Sequence, residues 1–287
     1  MRTTSDPSHC TGRDGAGVAP STLMENIRPS PTVSVVIPAL NEARNLPHVL
    51  SKLPPVDEVI LVDGGSTDDT VAVATRLRPD IRILVQNRRG KGNALACGFA
   101  AATGDVIVMI DADGSTSPEE IPLFVDALCA GADFAKGSRF APTGGSSDIT
   151  RARQAGNKFL NGLVNLMYGT RYSDLCYGYI AFWAWCVPSF ALDTTSPRPS
   201  GDGRLWGDGF EIETLLNLRA ARANLRVTEV PSFEHPRIHG ASNLNAVKDG
   251  IRVLRTIARE WRRRSRTIPQ PTMARRSDTR SRTGTDT

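Results

Sequence analysis

Two aspartates one residue apart, Asp111 and Asp113, end the stretch DVIVMIDADGST (105–116), where an apolar run passes directly into negative charge. A DxD pair at a strand end can hold a divalent cation through hard oxygen ligands, and Mg²⁺ or Mn²⁺ held there would bridge to phosphate oxygens. The other reading of such a pair is a turn or a helix cap. Two more apolar runs end in polar groups: VSVVIP (33–38) is followed by ALNE, and EVILV (58–62) by DGGSTDD. Gly64 and Gly65 allow a tight turn, and Ser66, Thr67 or Asp68 can cap the next helix. Capping does not account for Asp63, Asp111 and Asp113, carboxylates at strand ends that need a partner or a ligand.

Other phosphate motifs are absent. RGKGNA (89–94) lacks the GxxxxGK[ST] spacing of a P-loop, and no GxGxxG follows the first apolar run. His235 and His239 have i, i+4 spacing but flank Pro236 and Gly240 in an expected loop, which favours phosphate contact or solvation over zinc. Arg151 and Arg153 either meet an acceptor phosphate or decorate a helix start. The aromatic group Tyr177, Tyr179, Phe182, Trp183 and Trp185 is either core or a sugar wall. Cys97 and Cys129 read as packing residues.

The elements that must position these groups alternate. Strand patterns at 33–38, 57–64, 81–86, 105–110 and 132–138 are interleaved with helical patterns at 42–53, 67–78, 91–104 and 118–131. That order predicts an α/β fold with a mostly parallel central sheet and helices on both faces, binding ligands at the carboxyl ends of its strands. Further on, the spacing predicts a helix over 150–169, buried strand and loop over 175–185, a helix over 208–223, a strand over 225–233, a polar loop over 235–243 and a helix over 244–261.

With 287 residues and 40% apolar content, the chain can bury one large core. One domain over 31–262 is expected, between a disordered tail at 1–30 and a basic disordered tail at 263–287. The formal charge of +5 is uneven: residues 252–287 hold eleven Arg against Glu260, Asp278 and Asp286, a net +8, which leaves 5 − 8 = −3 on residues 1–251. The expected domain is thus mildly acidic, which argues against nucleic acid as a partner. The basic end reads as a solvated tail or as a contact with an anionic membrane surface. The longest apolar window, YGYIAFWAWCV (177–187), is too short to span a bilayer, and no signal-peptide pattern opens the chain. Five unclustered cysteines, at 10, 97, 129, 176 and 186, suggest reduced cytoplasmic thiols.

VSVVIPALNEARNL, DEVILVDGGSTDDT, RRGKGNALACGFAAATGDVIVMIDADGST and AKGSRF, in this order, resemble the nucleotide-diphospho-sugar glycosyltransferases of family 2, across roughly residues 31–260. The likeness is greatest to the polyprenyl (dolichyl) phosphate sugar transferases. RGKGNA with DADGST is similar to dolichyl-phosphate glucosyltransferases, and EVPSFEHPRIHGASNL to the late loop of the mannosyl-phosphate synthases. The resemblance implies the GT-A fold and an inverting, metal-dependent transfer of a hexose from UDP-glucose or GDP-mannose. The implied acceptor is a polyprenyl phosphate or a polysaccharide or glycolipid precursor, met at the cytoplasmic face of the plasma membrane. A small hydroxyl acceptor in solution, or sugar-nucleotide binding without turnover, is the alternative.

Residue by residue, the resemblance implies that Pro38, Ala39, Asn41 and Glu42 line the nucleoside pocket, with Glu42 on the ribose. Asp63 reads the base, Gly65 and Ser66 shape its turn, and Lys91 lies over the nucleotide. Asp113 and Asp111 hold Mg²⁺ or Mn²⁺, with Asp111 nearer the ribose and diphosphate, and Arg139 and Arg237 stand near the phosphates. Asp208 sits where relatives that use alcohol acceptors place a catalytic acid, with Glu211 and Glu213 within a helical turn; capping by Asp208 is the other reading. The late loop departs from the family's RxxGxSK: Arg237, Gly240 and Ser242 match, and Asn243 replaces the lysine.

Overall fold

The computed structural model describes residues 30–197, 199–200, 205–240 and 246–263, with side chains of the last segment described from residue 250. The two expected tails, and Ser242 and Asn243, lie outside the described residues apart from Ser30 and Arg263.

The first strand, β1 (Val33–Ala39), lies inside the sheet, and its residues are buried except for half-buried Pro38. Its Val33, Val35, Val36 and Ile37 suit such a strand because neither face meets water. β2 (Glu58–Asp63) pairs parallel on one side of β1, and β3 (Arg82–Val85) extends that side. β4 (Val106–Met109) pairs parallel on the other side. Helices α1 (Leu46–Ser51), α2 (Thr70–Leu77) and α3 (Lys91–Ala101) make the crossovers. A 3₁₀ turn at Pro118–Glu120 leads into α4 (Ile121–Cys129), and then β5 (Phe134–Ser138) follows.

The seven strands run β3-β2-β1-β4-β7-β5-β8, so the order reverses between β1 and β4 and opens a crevice at their carboxyl ends. β7 (Ile180–Trp183) lies antiparallel between β4 and β5, and β8 (Val227–Pro231) pairs parallel with β5. The sheet is mostly parallel, as the alternation predicts, but β4 and β5 are not neighbours. Fully buried Ile180, Ala181 and Phe182 take the place between them. Phe182 packs there against Phe99, Phe134 and Phe190, so this part of the aromatic group is core.

On one face of the sheet, Val35 and Ile37 pack with Leu46 and Val49 of α1, Ala74 of α2 and Phe124 of α4. On the other, Val36, Val62 and Met109 meet Leu95 and Phe99 of α3 and Leu215 and Leu216 of α7 (Ile212–Arg222). Each of these side chains larger than alanine contributes about 1.5–3 kcal/mol of apolar burial. A third cluster joins α5 (Arg151–Tyr168) and α7 to α8 (Ala246–Arg262) through Leu160, Val164, Leu218, Val253 and Ile257. The short strands β6 (Gly145–Ser146) and β9 (Phe233–Glu234) pair outside the main sheet, and α6 (Val187–Phe190) follows β7. Cys97, Cys129, Cys176 and Cys186 are free thiols.

Three helices begin later than their patterns predict. α1 starts at Leu46 because Glu42–Asn45 form a turn, and α2 starts at Thr70, whose N–H donates to Asp68 Oδ1 at 3.0 Å. α7 starts at Ile212 because Gly207, with φ +96°, and Gly209 turn the chain beforehand. Glu211 Oε1 accepts both of their N–H groups, at 3.0 and 3.3 Å, which fixes the turn.

Candidate active site

The carboxyl ends of β1 and β2 carry loops that bond to each other. After β1, Asn41 adopts φ +57°; its N–H donates to Ser66 Oγ at 2.9 Å and its Oδ1 accepts the Thr67 N–H at 2.8 Å. The Glu42 N–H donates to Thr70 Oγ1 at 2.8 Å. Asp63 turns back on its own loop and accepts the N–H groups of Gly65 and Ser66 at 3.1 Å. Gly65 sits at φ +87°, a conformation that a β-carbon would strain. Pro38, Ala39, Asn41, Glu42, Asp63, Gly65 and Ser66 are therefore brought to one edge.

The DxD pair stands between two cations. Lys91, the first residue of α3, places Nζ 2.6 Å from Asp111 Oδ1 and 2.6 Å from Glu213 Oε1. Burial alone would lower the lysine pKa, but the two carboxylates outweigh it and raise it, so Lys91 is charged. One lysine is shared by two acids. Burial and the Asp111 charge push Glu213 up against the opposing pull of Lys91.

Arg237 spans the second aspartate and the β1 loop, with Nη1 3.0 Å from Glu42 Oε1 and Nη2 3.2 Å from Asp113 Oδ2. Burial raises the Glu42 pKa, with Asn45 and Arg237 opposing. The loop around Arg237 is tied down by backbone. His235 N–H donates to Ser115 O at 2.9 Å and Ile238 N–H to Asp113 O at 3.3 Å, while His239 and Asn45 bond reciprocally at 3.0 and 3.2 Å. His235 Nε2 also pairs with Ser117 Oγ at 3.0 Å. His235 and His239 thus serve this loop, and neither joins a metal-binding group of three among the described residues.

Arg139 is placed differently from Arg237. It makes a bidentate pair with Asp174, Nε to Oδ2 at 2.7 Å and Nη2 to Oδ1 at 2.8 Å, and its Nη1 reaches Glu234 at 3.0 Å. Its guanidinium lies 4.9 Å from the Tyr177 ring centroid. Fully buried Asp174 also accepts the Asn157 amide of α5 at 2.9 Å. Arg139 therefore links the end of β5 to Glu234 of β9, three residues before Arg237.

The acids of the 208–213 segment are all engaged. Asp208, expected as a catalytic acid, forms a buried bidentate pair with Arg88, Nε to Oδ2 and Nη2 to Oδ1 both at 2.9 Å, and Oδ2 also accepts the Leu205 N–H at 2.6 Å. Glu211 holds the Gly207 and Gly209 N–H groups and pairs with Arg252 at 3.7 Å. Each of these two carboxylates is consumed by partners of its own, Asp208 by Arg88 and Glu211 by the Gly207 and Gly209 N–H groups and Arg252. Sequence reasoning missed Arg88, Asn45 and Asp174. Their partners lie 120, 194 and 35 residues away, so no local spacing marks them.

The fold is of the GT-A glycosyltransferase type. The chain belongs to glycosyl transferase family 2, whose profile matches residues 34–184. It is similar to the polyprenol monophosphomannose synthase of Mycolicibacterium smegmatis, at 33% identity over 88% of this chain and 93% of that one. It is also similar to the undecaprenyl-phosphate mannosyltransferase of Micrococcus luteus, at 32% identity over 74% of this chain and 87% of that one. Among solved structures it shares its fold with the glucosyl-3-phosphoglycerate synthase of Mycobacterium tuberculosis in complex with Mn²⁺, UDP-glucose and phosphoglyceric acid. That match has a TM-score of 0.62 and 24% identity, and covers 80% of each chain. The protein is a family 2 glycosyltransferase close to the polyprenyl-phosphate sugar transferases.

Proposed function

We propose that the protein moves a hexose, mannose or glucose, from a nucleoside-diphosphate sugar to a polyprenyl phosphate with inversion at the anomeric carbon. The observation that carries the acceptor class is the engagement of every carboxylate in the 208–213 segment. Asp208 is held by Arg88, Glu211 by two N–H groups and Arg252, and Glu213 by Lys91. An alcohol needs a general base to become a nucleophile, whereas a phosphate oxygen is already one. In this reading Asp208 and Glu211 build the site and take no proton.

Donor binding falls to the β1 and β2 loops, with Glu42 toward the ribose and Asp63 toward the base. Asp111 and Asp113 suit a hard divalent cation, because both offer carboxylate oxygens at one strand end and the donor diphosphate and water can complete the shell. Bound Mg²⁺ or Mn²⁺ would stabilise the charge that builds on the departing nucleoside diphosphate. Lys91 and Arg237 add fixed positive charge beside it, and Arg139 holds the Arg237 loop through Glu234.

A membrane-located acceptor is supported by α5. Its outward face carries Ala152, Ala155, Gly156, Phe159, Gly162 and Leu166, with Phe159 65% and Leu166 85% exposed, beside exposed Arg151 and Lys158. Apolar and basic residues on one helix face suit the interface of an anionic membrane. No helix among the described residues is long and apolar enough to cross one. This reading places the protein peripherally on the cytoplasmic face, beside its lipid acceptor. Transfer from GDP-mannose and UDP-glucose to a polyprenyl phosphate in vesicles, with and without Mn²⁺, tests it. Transfer to a free polyprenol or to a soluble hydroxyl acceptor at equal rate would refute it.

A further inference from the structure

Arg88 and Asp208 are nearly inaccessible, with side chains 1% and 4% exposed, and lie in segments that no local pattern joins. Arg88 spends its remaining donors on the same region, with Nη1 to Ser196 O at 3.0 Å and Nη2 to Asp193 O at 2.5 Å. Its own N–H donates to Asn93 Oδ1 at 2.8 Å. One residue thus ties the loop after β3, the 193–196 segment and the 205–208 turn together.

The consequence falls on the start of α3. Its N-cap is Gly90, at φ +120°, which has no side chain to cap the first turn. The free N–H groups of that turn are met from across the chain, where the Asp208 carbonyl accepts Gly92 N–H at 2.8 Å and Asn93 N–H at 3.4 Å. The contact admits no side chain, since a β-carbon on Gly92 would collide with the Gly207 carbonyl and one on Gly90 with that of Asp208. The residue that begins this remotely capped turn is Lys91, the cation shared by Asp111 and Glu213.

We propose that Arg88 and Asp208 are positioning residues that act through Lys91: their ion pair fixes the 205–208 turn, whose carbonyl fixes the first turn of α3 and so the ammonium beside Asp111. The proposal rests on the reading of Lys91 as a group that meets the donor diphosphate. Asp208→Asn preserves the shape of the side chain and removes the charge, which loosens the turn without deleting it. Its effect on donor affinity should therefore depend on Lys91, while its effect on stability should not.

The test is a double-mutant cycle read by calorimetry, with UDP and GDP in the presence of Mn²⁺ as probes and the tighter binder carried through. Wild type, Asp208→Asn, Lys91→Ala and the double variant are compared, and melting temperature is recorded for each. Asp208→Asn should weaken nucleotide binding about tenfold when Lys91 is present and less than about twofold when it is absent, with an equal drop in melting temperature in both backgrounds. Equal losses of affinity in the two backgrounds, or no loss in either, would overturn the proposal. If Lys91→Ala alone leaves nucleotide affinity unchanged, the donor role of Lys91 fails first and the proposal falls with it. Should Asp208→Asn not fold, Arg88→Lys enters the same cycle with the same criteria, because it keeps the charge and loses the bidentate geometry.

Discussion

Arg237 donates to Asp113 across 3.2 Å, so the last loop before α8 rests directly on the second aspartate of the DxD pair. The same guanidinium holds Glu42 at 3.0 Å, which ties the end of β1 to the end of β4 through a residue from far along the chain. Replacing Arg237 with Ala removes a fixed positive charge beside the departing diphosphate and frees the loop. Turnover should fall by about 10²–10³, the usual cost of deleting one preorganised donor. Arg237→Lys should recover only part of it, since a single ammonium lacks the two separate nitrogens, Nη1 and Nη2, with which Arg237 reaches Glu42 and Asp113. Steady-state kinetics on the three proteins measure this.

Asp111 and Asp113 should make the reaction depend on a divalent cation. EDTA should abolish transfer, Mn²⁺ or Mg²⁺ should restore it, and Asp113→Ala should lose both the activity and its response to added metal. Full activity of Asp113→Ala in EDTA would show that the pair serves the turn instead.

Asp208→Asn separates two roles through the split between kcat and KM. A general base lost to this substitution costs orders of magnitude in kcat. A residue bound to Arg88 that acts on donor placement should raise the donor KM about tenfold and leave kcat within a few-fold. The variant should also lower the melting temperature, because buried Arg88 then keeps only the more distant Asp193 carboxylate, at 3.9 Å, as a counter-charge.

Away from the site, Glu58 gives the stability a defined pH dependence. Partial burial would raise its pKa, but bonds from Ser34 Oγ at 2.5 Å, from Thr103 and from Arg82 outweigh burial and hold it below the usual value of 4.5. The native state therefore binds fewer protons than the unfolded chain. This contribution is fully present above pH 4.5 and is lost as pH falls through the lowered native value. In Glu58→Gln, unfolding by urea should show lower stability at neutral pH and a shallower decline over that acidic window.

Phe159→Ser with Leu166→Ser should reduce co-sedimentation with vesicles containing anionic lipid, and leave transfer to a detergent-solubilised acceptor intact. Both side chains are largely exposed, so the fold loses little by the change. Unchanged sedimentation would remove α5 from membrane contact and leave the basic end of the chain as the remaining candidate.

Much of this architecture is legible in the sequence because its signals are local. β1, β2 and β4 are mostly apolar runs, and each ends in the polar groups that the structure gathers at one edge, including Glu42, Asp63, Asp111 and Asp113. Strand-then-helix alternation is a statement about neighbours in sequence, so it conveys the parallel half of the sheet. It says nothing of β7, which enters from beyond α5 and runs the other way. The ion pairs are hidden for the same reason. Arg88 and Asp208, Lys91 and Glu213, and Arg139 and Asp174 are each joined by folding alone, and a lone charge in a sequence does not reveal whether it is a base, a ligand or half of a pair.

The most direct measurement offers the enzyme two acceptors that differ only in the phosphate. With radiolabelled GDP-mannose or UDP-glucose and Mn²⁺, the polyprenyl phosphate should give a lipid-linked, acid-labile sugar phosphate and the matching polyprenol no product. Labelled product from the free alcohol at a comparable rate would contradict it, since that reaction requires a base and the carboxylates of the 208–213 segment are already bound.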